Sequence, residues 1–183
     1  MSAANSGTAT VAPITEAIRF ADQLERSFRG GAWQGPSLTE ALEGVSPTAA
    51  YRRPVAGAHS IAELVFHVDF WLEASRRRMA GEAEEGSSSE PDWPSGVDGK
   101  SASAPAWEAA LAHLQATHRR LHAAVLALDD ERFDQPVPGS DPTLRGLLLG
   151  ILQHNAYHTG QITLLARAAA KAGPGAAPSS SAS

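Results

Sequence analysis

The sequence predicts an all-α fold, a four-helix bundle with long crossover connections. Three observations carry that prediction. Apolar residues recur at steps of three and four in four separate stretches. No stretch alternates apolar and polar residues convincingly, as a half-buried strand would. A long polar segment over residues 82–104 separates the second stretch from the third, which requires at least one long connection.

The first helix opens near Pro13, places Ile14, Ile18, Ala21, Leu24 and Phe28 on one face, and stops at Gly30-Gly31. Ser37-Leu38-Thr39-Glu40 has capping-box form before a single turn closed by Gly44, and Ser46-Pro47 can start another. The second helix takes Ser60 as cap with Glu63 reaching back. It carries Ile61, Leu64, Val65, Val68, Leu72 and Met79 before Gly81, with His67 on the edge of that stripe. Residues 82–104 read as a long loop pinned at one point by Trp93, its one large apolar residue. The third helix starts near Pro105 with Trp107, Leu111, Leu114, His118, Leu121, Val125 and Leu128 in heptad-like steps. Asp141 as cap and Pro142 at the first helical position open a fourth helix of about 30 residues that ends at Gly173-Pro174.

A chain of 183 residues with 43% hydrophobic content can bury one core, so a single domain is expected over residues 13–172. Residues 1–12 and 173–183 are small, polar and aperiodic, and are expected to be disordered. The absence of cysteine removes thiolate ligands, disulfides and a cysteine nucleophile. A net charge of −5 and the lack of a basic helix face argue against nucleic acid and anionic membranes as partners. Arg76-Arg77-Arg78 closes a helix, where cations complement the negative end of its dipole. With no secretory-signal pattern and no apolar run near the roughly 20 residues of a membrane span, the expected location is cytoplasmic.

His154 and His158 lie four apart, on a line shared with Leu147, Ile151, Ile162 and Leu165, so both imidazoles face the core and can reach one metal ion. His118 and His122 have the same spacing, so spacing alone leaves two candidate pairs. The first pair has polar neighbours, Asn155 and Gln161, of the kind that orient ligating imidazoles from outside; without a metal the same groups would form a buried hydrogen-bond network. A zinc protease needs glutamate directly after the first histidine, where Asn155 stands. A di-iron bundle needs Glu-x-x-His pairs that no helix supplies. What remains is a mononuclear site poor in carboxylates, whose third ligand comes from elsewhere.

Gly57-Ala58-His59-Ser60-Ile61 leading to His67, Trp93-Pro94, Trp107, and the block His154-Asn155-Ala156-Tyr157-His158-Thr159-Gly160-Gln161-Ile162 resemble, in order and spacing, the DinB-like or YfiT-like metalloenzyme family. That family consists of four-helix bundles related to thiol-dependent S-transferases and mycothiol-dependent maleylpyruvate isomerases. The resemblance covers most of the chain. It implies His67, His154 and His158 as metal ligands, a bundle with a long crossover, and association into homodimers. His59 belongs to the resembling block but sits just before the Ser60 cap, where a structural role is expected. Tyr157 projects away from the ligand face and is read as packing between helices.

The leading expectation is a metal-dependent S-transferase. A low-molecular-weight thiol, activated at the metal, attacks an electrophilic small molecule. The alternatives are a metal-dependent hydrolase using the same three histidines, and a non-catalytic metal-binding or stress-response bundle. Zinc or nickel is the expected divalent metal, with iron a further candidate. Trp71, Trp93 and Phe70 are candidates for lining a pocket, and they name no substrate.

Overall fold

The computed structural model describes residues 14–82, 93, 97, 103–139 and 142–172. These hold α1 (Glu16–Arg29), α2 (Leu38–Leu42), α3 (Pro47–Tyr51), α4 (Ile61–Met79), α5 (Ala104–Leu126), a 3-10 turn (Asp130–Arg132) and α6 (Leu144–Ala172). No strand occurs among the described residues, only one isolated bridge between Pro136 and Thr143. The fold is all-α, as expected. The segments expected to be disordered at either end and most of the 82–104 loop lie outside the described residues.

Local hydrogen bonds start the helices where the sequence places its capping residues. Thr15 Oγ1 accepts from the Ile18 amide, Ser46 caps α3 and Ser103 caps α5. Ser37 with Glu40 and Ser60 with Glu63 form complete capping boxes, so two otherwise orphaned backbone donors are satisfied at each helix start. Gly81, at φ 70°, turns the chain just after α4 in a conformation that costs other residues more.

α6 departs from its predicted start. Asp141 lies outside the described residues, and Pro142 precedes the helix rather than opening it. The Pro142 carbonyl accepts from the Val137 amide, while the Leu144 and Arg145 amides donate to the Gln135 and Phe133 carbonyls. Those donors are the orphans of the first helical turn, and a short backbone pairing with residues 133–137 satisfies them. Thr143 is the cap: its Oγ1 accepts from the Gly146 amide at 3.2 Å.

α4 packs against α5 and α6, and α1 packs against the same two helices from the other side; α2 and α3 close over α6. Leu24, Phe28, Leu38, Ile61, Leu72, Leu121, Phe133, Leu148 and Ile162 are buried in the shared core. Each such side chain contributes about 1.5–3 kcal/mol relative to exposure, as an upper estimate. Phe20 stacks on Phe133 at 5.3 Å, which fastens the 3-10 turn to α1. The core face of α1 is Ala17, Phe20, Ala21, Leu24 and Phe28. Ile14 and Ile18, expected on that face, are 60% and 48% exposed: Ile14 precedes the Thr15 cap, and Ile18 is rotated out beyond Ala17. No helix among the described residues is long and apolar enough to cross a membrane.

Candidate metal centre

Three imidazoles converge where α4 meets α6. His67 comes from α4, and His154 and His158 come from successive turns of α6, so the i,i+4 spacing places their rings 4.3 Å apart between centroids. His67 stands 5.0 Å from His154 and 4.7 Å from His158. One ring nitrogen from each lies within 4.8 Å of the other two, and this is the only group of three or more potential ligands found among the described residues. His67, read from sequence as lying at the edge of its stripe, is only 4% exposed, because α4 is covered by α5, α6 and Trp93.

The geometry fits a small divalent ion. Nitrogens held about 2.0–2.1 Å from one tetrahedral ion lie about 3.3–3.4 Å apart. His67 Nε2 and His154 Nε2 are 3.0 Å apart, close to that separation. His158 Nδ1 lies 2.7 Å from Gln161 Oε1. An amide oxygen only accepts, so Nδ1 carries the proton and Nε2 keeps the lone pair that a metal requires. Gln161, expected as an outer partner, lies within hydrogen-bond distance of His158. Asn155 is buried at 2% exposure, and its Oδ1 has no hydrogen-bond partner among the described residues.

Trp93 closes one side of the cluster. Its indole is parallel to His67 at 4.0 Å and to His59 at 3.6 Å, and edge-on to His158 at 6.1 Å. Trp71 stands 6.4 Å from His67 and 6.0 Å from His154, whereas Phe70 packs against Trp71 rather than against an imidazole. Sequence reading anticipated that Trp93 pins its segment. It did not foresee that the pin is a stack on two histidines, although a lone indole within a polar stretch is the signal that could have suggested it.

His59 does hold a place at the start of α4. Its Nδ1 lies 3.6 Å from Glu63 Oε1, and the same carboxylate accepts from the Ser60 amide and pairs with Arg53. Burial raises the Glu63 carboxyl, but the hydrogen bonds from Ser60 and the Arg53 charge outweigh it and hold the group below the usual glutamate range. Tyr157, read as packing between helices, is instead 65% exposed, with its ring 5.0 Å from His158.

His118 and His122 form no comparable group. His118 stacks on Phe28 at 3.9 Å, and its Nε2 lies 3.0 Å from Glu25 Oε2. Burial pushes the His118 imidazole below its usual range, against the pull of Glu25, so a neutral ring donates to a carboxylate. His122 is 6.0 Å away by ring centroid.

A family model described as the DinB superfamily matches residues 33–162, a span that runs from the loop after α1 into α6 and includes all three imidazoles. No curated protein and no solved structure gives a match.

Proposed function

The chain belongs to the DinB superfamily, and from that membership and the three converging imidazoles we propose that it is a metal-dependent enzyme. His67, His154 and His158 hold a divalent ion, zinc or nickel. The reaction is transfer of a low-molecular-weight thiol to an electrophilic small molecule. The observation that supports this most is the Gln161–His158 contact, which fixes the tautomer that ligation needs.

An ion held by three neutral imidazoles supplies a concentrated positive charge that favours the deprotonated form of a thiol or water brought to it. The chain's own groups prepare that chemistry. Gln161 holds His158 in register. Trp93 and Trp71 wall the cluster with apolar rings, lowering the local dielectric and strengthening charge interactions inside. The protein has no cysteine, so the nucleophilic sulfur comes with a cosubstrate.

The test is metal content per chain, by mass spectrometry on untagged protein, for the unmodified sequence and for His67→Ala and His158→Ala. About one metal per chain, lost in both variants, supports the site; no metal after incubation with zinc or nickel removes it. Thiol-adduct formation that disappears in His154→Ala supports transfer. Ester or amide hydrolysis without added thiol would assign the same site to a hydrolase. A metal that no substrate or water reaches would assign it to a binding protein.

A further inference from the structure

The segment before α4, with Leu64 of α4 and three residues of α6, lines an open-sided cavity of about 280 Å³ beside the imidazole cluster. Val55, Leu64, Leu164 and Leu165 form its apolar walls, and His59 and Gln161 supply its polar groups. Leu64 precedes His67 by three residues on α4, and Gln161 follows His158 by three on α6. The cavity is therefore displaced from the cluster by about one helical turn, roughly 5.4 Å.

Both polar groups connect the cavity to the cluster. Gln161 accepts from His158 through Oε1, which leaves its amide nitrogen to donate elsewhere. His59 stacks on Trp93, and Trp93 stacks on His67. Among the described residues, no lysine, arginine, aspartate or glutamate lines the cavity. A charged group placed there would lose hydration and meet no permanently charged lining side chain. Two of the wall residues, Leu164 and Val55, are 65% and 43% exposed, so the apolar surface continues outward at the mouth.

We propose that this cavity binds an uncharged small molecule with an apolar body and one hydrogen-bonding group, the apolar part of the substrate whose reacting end meets the imidazole cluster. Its volume is nearly twice the roughly 150 Å³ that accommodates a benzene, which suits one ring with a short chain. The polar end meets Gln161 and His59, the side nearest the cluster. As a substrate subsite the cavity rests on the enzyme reading above; as a binding site it does not.

The experiment uses the full chain stripped of metal, with ¹³C-labelled valine and leucine methyls, titrated with 3-phenylpropan-1-ol. Saturable shifts are expected at Val55, Leu64, Leu164 and Leu165, with Leu121 in the central core unmoved. Leu164→Trp, a change at a largely exposed position that preserves the fold, should crowd the mouth and weaken binding about tenfold or more. Shifts that do not saturate, or that spread evenly over the methyls, would overturn the proposal. So would unchanged affinity in Leu164→Trp. Because the titration needs no metal, binding by a chain that takes up no metal would leave the cavity standing while the enzyme reading fails. Full metal uptake without binding would do the reverse.

Discussion

Replacing Gln161 with leucine probes the imidazole cluster without touching a ligand. Gln161 Oε1 accepts from His158 Nδ1 at 2.7 Å, and His158 is only 4% exposed. Leucine is similar in size and a good helix former, so α6 should persist. The substitution removes the acceptor and leaves a buried Nδ1–H without its partner. A net hydrogen bond contributes about 0.5–1.5 kcal/mol, and stranding a buried donor costs about 1–3 kcal/mol. Loss of such an outer partner lowers metal affinity about 10- to 100-fold, or about 1.4–2.8 kcal/mol at 1.4 kcal/mol per factor of ten. The two ranges overlap, so a zinc affinity reduced by that factor is the expected result. Competition against a chromophoric chelator at one fixed, mildly alkaline pH measures it, and Gln161→Glu, which keeps an acceptor, should recover most of the loss. A folded leucine variant with unchanged zinc affinity would refute the assignment of Gln161 as the group that orients His158.

Four further substitutions test the frame around the site. Ser60→Ala removes the side-chain acceptor at the start of α4 and should cost about 1 kcal/mol, read as a lower urea midpoint. The Glu63 carboxyl lies below its unfolded value, so the unfolded chain takes the proton first as pH falls. Its contribution is therefore complete above about pH 4.3 and lost as pH drops through the folded value; Glu63→Gln should flatten that acid limb in denaturant titrations. His118 is also held below its unfolded value, so stability should decline as pH falls below about 6.5 and level off once the folded ring protonates. His118→Phe should reduce that slope, and an unchanged slope would show that His118 is not its source. Phe133→Ala empties a fully buried site against Phe20 and should cost about 3–5 kcal/mol in urea unfolding.

Features governed by residues three or four apart were legible in the sequence. The Ser37–Glu40 and Ser60–Glu63 boxes, the glycine after α4 and the His154–His158 face all formed where their spacing placed them, because each depends on one turn of backbone. The choice between His154–His158 and His118–His122 was not available from spacing. Only the resemblance indicated that His67 completes a trio, and the structure brings those three together. What escaped was set by distant contacts. Thr143 caps α6, where residues 133–137 pair with the backbone before it. The double stack of Trp93 joins residues 34 positions apart, from Trp93 back to His59, through ring faces that no periodicity records. Tyr157 and Ile18 are exposed where packing was expected, since a pattern names a face but not the width of what covers it.

His67 and His154 are 87 residues apart in the chain, yet their ring nitrogens are 3.0 Å apart. A contact of that sequence separation forms late, because the entropy of closing so long a loop must be overcome before the contact stabilises anything. During synthesis α4 emerges well before α6, and until α6 docks His67 stays apart from the His154–His158 pair. A collapsed chain with its helices formed but α6 misplaced would keep its helical circular dichroism and lose the site. Uptake of one tightly held ion would therefore distinguish the native state from its compact competitors, and would act on the folding equilibrium as a ligand that binds only the finished bundle.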